Sequence, residues 1–359
     1  MLHRTSGREH GLDVLRASAI LGTLAFHSAD LPGAPATLAR VFGFGWLGVD
    51  LFFVLSGFLI ARQVFKDRSR ASYGRRLSLF WKRRAFRTLP LYAIVLFCYV
   101  VVKPRLFHAP FQERPWHYLV FLQNYTMHGP STVDFVASWS LCVEEHFYLV
   151  FPLIAFALVG RERLPPWAWL LALFASAVVR FVAALPLDQA NRYVAFTSTL
   201  HWATHSHLDG LSVGVTLAAY ETRWRAWSQR ARKLSFFSGL VVLLGTCSAF
   251  GAMTASIAGI VLYFMFAAFA FAMILVGTSE LTVHPRVYAV VRPIAIWSYG
   301  AYLWFGLVLR AVDRFVGASV TWPVLVLAFV GTTFAIAWLT YEWIERPAIR
   351  LRDILLRGL

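Results

Sequence analysis

Charge is scarce in this chain. Only 14% of its 359 residues are Asp, Glu, Lys or Arg, against 58% hydrophobic, whereas soluble chains average about 25% charged. Mean hydropathy is +0.61. So little charge cannot cover so much apolar surface in water, which excludes a soluble globular protein and a disordered one. Cysteine is scarcer still: Cys98, Cys142 and Cys247 each lie in an apolar stretch. Neither a disulfide framework nor a thiolate metal site is indicated. Internal repeats, collagen-like or coiled-coil periodicity and a separate soluble domain are lacking as well.

What is present is hydrophobic length. A bilayer core takes about 20 mostly apolar residues per helix. Runs of that kind, broken by charge or by Pro and Gly, cover 13–31, 44–61, 89–103, 138–159, 166–185, 196–219, 235–251, 255–276, 293–311 and 321–342. The expectation is an all-α, polytopic integral membrane protein with about ten transmembrane helices, forming one transmembrane domain over 1–359. Fourteen Trp and thirteen Tyr are enough to furnish aromatic belts at both interfaces. The longest connection, 104–137, suits a lid or an interfacial helix.

The net charge of +16 would suggest nucleic acid in a soluble protein. In a membrane protein it follows from Lys- and Arg-rich cytoplasmic segments, so no nucleic-acid partner is expected. With the N-terminus inside, the inner segments hold 25 Lys and Arg and the outer ones 8, with Arg16 inside the first helix. Both termini are therefore expected in the cytoplasm. Ala34-Pro35-Ala36 after the first apolar run mimics a secretory cleavage site. Asp13 and Arg16 interrupt that run and Pro35 disfavours cleavage, so the first helix is expected to remain as a signal anchor.

Ionisable groups inside a bilayer are costly and point to function. Arg16 and His27 are eleven residues apart, which returns them to one helix face, ~16 Å apart along the axis. By helical rise, His27, Asp50 and Glu145 lie ~6, ~9 and ~10 Å below the outer surface. A histidine and two carboxylates in one layer suit general-base chemistry, with Asp50 or Glu145 orienting the imidazole and balancing its charge. Asp50, on a helix joined to the first by a short connection, is the expected neighbour of His27. Independent interfacial hydrogen bonds would give the same depths, because depth does not fix azimuth. His201, His205 and His207 lack the carboxylate-rich or Cys partners of a metal site, so neither a metal nor a permanently bound cofactor is expected.

Residues 62–88 hold ten basic side chains against Asp67 alone. On a helix, Arg84 and Arg87 at i, i+3 share a face, and two planar guanidiniums suit phosphate groups. Anchoring against anionic lipid competes with that reading, and is the better one for Lys82 and Arg83.

Several blocks stand in a fixed order from about residue 11 to 352. They are Arg16-x10-His27, Gly48-Val49-Asp50-Leu51-Phe52-Phe53-Val54-Leu55-Ser56-Gly57 and Arg84-x-x-Arg87. Gln123-Asn124-Tyr125 and Trp139-Ser140-Leu141-x-x-Glu144-Glu145-x-Phe147-Tyr148 follow, then Ser298-Tyr299-Gly300-Ala301-Tyr302-Leu303-Trp304 and Ile344-Glu345-Arg346-Pro347. In this order they resemble the motifs of the membrane acyltransferase 3 family, bacterial integral-membrane proteins that O-acylate sugars, lipopolysaccharide, peptidoglycan, exopolysaccharides and some macrolides. Two positions depart from that pattern: Phe305 stands where a His is common, and His207 where an Arg often precedes Leu-Asp.

The resemblance implies transfer of an acyl group, acetyl first, from cytoplasmic acyl-CoA to a hydroxyl of a glycan, glycolipid or other acceptor. It places the chain in a bacterial cytoplasmic membrane. Acyl-CoA would be a co-substrate, its phosphates on Arg84 and Arg87 and its pantetheine arm along the Arg16 face. His27, Asp50 and Glu145 would be catalytic, and Trp139 or Tyr148 would shape the acceptor pocket. The soluble esterase-like domain of some members is not seen, so the chemistry is expected in the membrane part. The rival reading is a proton-coupled carrier of a glycolipid or small anion, with His27 and Glu145 as relay; it lacks the usual repeats and paired broken helices.

Overall fold

The computed structural model describes residues 7–67, 71–127, 133–158, 165–317 and 320–356. Arg4, residue 159 and parts of the two long connections (68–70 and 128–132) lie outside the described residues. Every described regular element is helical. The main ones are α1 (Gly7–Ser28), α2 (Gly48–Phe65), α3 (Tyr73–Phe97), α4 (Ser138–Leu158) and α5 (Leu171–Ala184). They continue as α6 (Asp209–Ala219), α7 (Gln229–Ser248), α8 (Ile257–Thr278), α9 (Pro285–Val316) and α10 (Trp322–Thr340).

Among the described residues, seven helical segments are long and apolar enough to cross a membrane, those built on α2 to α5 and α8 to α10. The chain is an integral membrane protein. Three expected spans fall short of that measure for separate reasons. Asp13, Arg16 and His27 make α1 too polar, Arg230, Arg232 and Lys233 open α7, and α6 is only 11 residues long.

The short α6 corrects the continuous helix expected over 196–219. That stretch is broken: a π-helical turn (Phe196–Leu200), a 3-10 turn (Thr204–Ser206) and then α6. Irregular backbone at membrane depth survives only where other groups satisfy it. Here Asn124 donates to the Trp202 carbonyl at 3.1 Å, Arg180 to the Ser206 carbonyl at 2.6 Å, and His207 Nδ1 to the His201 carbonyl at 2.6 Å. Arg180, fully buried, also grips both Asp209 oxygens at 2.7 and 2.9 Å and the Val261 carbonyl at 2.7 Å. One guanidinium thereby ties α5, α6 and α8 around the break.

The third helix also differs from expectation. It begins at Tyr73, not near 89, so half of the basic connection is helix. Leu77 and Phe80 are buried, one turn apart, while Arg75, Lys82 and Arg83 are exposed. An amphipathic face thus continues the helix past the charge that suggested a boundary. The described part of the connection 104–137 is built of short helical turns, pinned by Lys103 against Asp134 with both side chains buried.

Small residues set the closest approach. A Cβ on Gly57 of α2 would stand 2.2 Å from the Leu211 carbonyl, and one on Gly214 of α6 2.3 Å from the Val54 carbonyl. Without a hydrophobic drive between helices in lipid, such backbone contact and its dispersion attraction hold helices together. Around this pair, α1 packs on α9, α7 on α8, and α9 on α10.

Candidate active site

A cavity of about 540 Å³ lies between α1, α2, α3, α4 and α9. The face that α1 turns inward carries Asp13 and Arg16, and α3 contributes Arg84, Arg87 and Thr88. The three guanidiniums expected to work together are therefore gathered on one cavity wall. Arg16 rests on Asp13 at 3.4 Å, and Asp13 also accepts from the Tyr288 hydroxyl at 2.7 Å. Arg84 donates to Gln63 at 3.4 Å and lies over the Tyr148 ring at 5.2 Å. Arg87 stands 3.6 Å from Glu345, whose carboxylate is 1% exposed and accepts no hydrogen bond. These are loose holds, and they leave donors for an incoming anion.

Two hydroxyl pairs also line the cavity, among apolar residues of α2 and α9. Ser56 and Tyr148 meet at 2.6 Å, and Ser140 and Tyr302 at 2.7 Å. Tyr148 thus lines the cavity beside Arg84. Trp139 is buried elsewhere, stacked on His207 with centroids 5.5 Å apart.

Glu144 lines the cavity. Glu145, about 100° further round the helix, turns to Thr88 of α3. Both were visible in the Glu-Glu motif, but depth alone could not choose between neighbours.

His27 closes the last turn of α1. Its Nδ1 lies 3.2 Å from Asp30 Oδ2, and its ring stacks on Phe305 with centroids 4.5 Å apart. Phe305 in turn touches Tyr302, a cavity residue one turn earlier on α9. The imidazole is therefore not on the cavity lining and is connected to it through Phe305 and Tyr302.

The expected partnership of His27 with Asp50 is not formed. Asp50 is 1% exposed, and its Oδ1 is hydrogen-bonded with His207 Nε2 at 2.9 Å. The two residues share a depth but not an azimuth, because α2 turns Asp50 towards α6 while α1 turns His27 towards α9. Sequence reasoning missed Asp30, although its i+3 spacing from His27 at a helix end was a usable signal. It also missed the Ser140–Tyr302 pair, for which spacing offers none. His205 is exposed and stacks on Tyr125 with centroids 5.5 Å apart, away from His207.

Compared with known proteins, the acyltransferase 3 family, described as an acyltransferase domain, matches residues 9–342. The O-acetyltransferase OatA of Staphylococcus aureus strains COL and N315 is 30% identical over 221 residues, covering 58% of this chain and 34% of the relative. The chain thus spans about a third of the length of the curated relatives it matches. No solved structure matches it.

Proposed function

Because the chain belongs to the acyltransferase 3 family, we propose that it is a membrane O-acyltransferase. An acyl group, acetyl first, passes from cytoplasmic acyl-CoA to a hydroxyl of a glycan or glycolipid. One observation carries this reading: Arg16, Arg84 and Arg87 line a single cavity together with Tyr302, whose ring touches Phe305, the residue on which His27 stacks. A cavity of that volume is within the range of small-molecule sites. The Lys and Arg bias puts the arginine end in the cytoplasm, where acyl-CoA is found.

In this reading the guanidiniums take the donor's diphosphate as charge-assisted forks. The pantetheine arm extends along the Arg16 face, whose ~16 Å offset to His27 matches an extended arm. Nδ1–H of His27 donates to Asp30, which leaves Nε2 as the base. Nε2 takes the acceptor hydroxyl proton, the oxygen attacks the thioester carbonyl, the C–S bond breaks, and the imidazolium returns the proton to the departing thiolate. Phe305, packed flat on the ring, limits its rotation. Asp50 acts at one remove, holding His207 and the broken sixth segment, while Glu144 and Glu145 balance the charge of Arg84.

The test is direct. Purified protein given acetyl-CoA labelled on the acetyl group should attach label covalently to extracted glycan. His27→Ala should lose about 10²–10⁴-fold of that rate while remaining folded. Full activity in a well-folded His27→Ala protein sinks the mechanism, and label carried across a vesicle without covalent attachment replaces the enzyme with a carrier.

A further inference from the structure

A short π-helical turn (Tyr341–Glu345) follows α10 and packs on α3. Turns of this kind widen a helix locally and are frequent at functional sites. Here the turn carries two side chains into different surroundings. Tyr341 lines the central cavity, whereas Glu345 is 1% exposed and lies outside the lining. Neither Glu345 oxygen has a hydrogen-bond partner among the described residues. From one side α9 closes on the carboxylate, where a Cβ on Gly300 would stand 3.4 Å from Oε1. Its ion-pair partner is Arg87, with Nη1 at 3.6 Å from Oε2. A buried carboxylate without hydrogen bonds is costly unless a cation offsets it, and Arg87 is the side chain that does so. Arg87 is also fixed at its root: the Tyr299 hydroxyl donates to the Thr88 carbonyl at 2.8 Å and ties the next residue of α3 to α9.

We infer that Glu345 is a positioning residue for the acyl donor, acting through Arg87 to aim that guanidinium at the donor's diphosphate. The inference rests on the acyl-CoA reading above and adds the group that orients one of its arginines. The Arg87 side chain is 34% exposed, and a long side chain left unheld at a cavity wall spreads over many rotamers. A planar fork meets a phosphate well from one orientation only. With Nη1 drawn to Glu345, Nε and Nη2 keep their donors for an anion in the cavity that Arg87 lines. Charge alone would make Glu345 a competitor of that anion. Two features favour orientation instead. The pair is not hydrogen-bonded, so no bond has to break when a phosphate arrives, and burial keeps the carboxylate behind Arg87 and out of the donor's path.

The test is a double-mutant cycle on the purified full chain, read as the acetyl-CoA KM and the kcat of acetyl transfer, with thermal melts alongside. Glu345→Gln, close in shape but uncharged, is expected to raise the KM about fivefold with kcat unchanged, within the range of couplings between contacting residues. Glu345→Asp keeps the charge one methylene further back. Its KM should fall between those of the unmodified protein and Glu345→Gln, and it carries the test if the Gln variant does not fold. Where Arg87→Ala raises the KM about tenfold, adding Glu345→Gln should leave it near tenfold and not multiply it to about fiftyfold, because the carboxylate has lost the group it acts through. A merely structural carboxylate would lower the melting temperature and leave the KM alone, or would multiply with Arg87→Ala; either result overturns the inference. So does a lowered KM in Glu345→Gln, which makes the carboxylate a competitor of the phosphate. These results leave the acyl-CoA reading standing, whereas an unmodified protein that neither binds acetyl-CoA nor transfers acetyl overturns both.

Discussion

As the proposed general base, His27 needs its second ring nitrogen occupied, and that nitrogen faces Asp30. Asp30 is 62% exposed, so water can replace part of what it does. Asp30→Asn is accordingly expected to lower kcat about tenfold with the donor KM unchanged, and Asp30→Glu to restore most of the rate. Asp50→Asn should instead act on stability, since its partner is His207 in a buried, aromatic-walled position. Steady-state kinetics and thermal melts of the two variants check the assignment; loss of kcat in Asp50→Asn with Asp30→Asn silent would reverse it. Arginines of the cavity wall make a different demand. Arg84→Ala and Arg87→Ala should each raise the acetyl-CoA KM about tenfold with little change in kcat, because phosphate clamping is ground-state binding. Arg87→Ala also strands the buried Glu345. Adding Glu345→Gln should recover the stability lost but not the KM.

Elements in this protein are joined by ion pairs at their ends as much as by apolar packing. Glu221, in a short helical turn (Glu221–Arg225) after α6, accepts from Lys66 at 2.8 Å, Arg225 at 2.7 Å and Arg62 at 3.1 Å. It fastens the end of α2 to the end of α6 outside the membrane-spanning part. Burial opposes ionisation of this carboxylate, but the hydrogen bonds of Lys66 and Arg225 and the charges of Arg225 and Arg62 outweigh it. The carboxyl is held below its ordinary range. A lowered folded-state value means that the clamp contributes fully at neutral pH, above the unfolded value. The contribution is lost as pH falls through the folded value. Glu221→Gln should therefore lower the melting temperature at pH 7, for a loss of about 1 kcal/mol, and the gap to the unmodified protein should close at acid pH. A gap independent of pH would make the effect one of packing alone. The same logic of polar ties explains why the sixth segment can break without exposing its carbonyls to lipid.

For the molecule as a whole, orientation decides which substrate meets which face. On the proposed orientation, read from the 25 to 8 division of Lys and Arg, the arginine-walled cavity mouth would face the cytoplasm and the connection 104–137 the outside. Single cysteines placed at exposed Arg75 and Arg114, after replacing Cys98, Cys142 and Cys247, report this. Arg75→Cys should react with an impermeant maleimide only once the membrane is opened, and Arg114→Cys in intact cells. The reverse pattern would remove the cavity from cytoplasmic acyl-CoA and bring the donor proposal down.

Membrane residence followed from the sequence alone, because scarcity of charge over long apolar runs is a statement about solvent and needs no knowledge of contacts. Arg16 and His27 on one face of α1, and Arg84 with Arg87 on α3, were legible for a related reason: helix geometry fixes the azimuth of residues within one element. Between elements that information is missing. Depth placed His27, Asp50 and Glu145 in one layer, and only the packing of α2 on α6 and of α1 on α9 turned Asp50 to His207 and His27 to Asp30 and Phe305. The choice of Glu144 over Glu145 for the cavity wall was likewise made by the rotation of α4 against its neighbours. The break in the sixth segment depended on donors from Asn124 and Arg180, far away in the chain. A hydrophobic run shows that a segment can cross a bilayer, whereas the rotation of one helix against another is settled by the side chains of both.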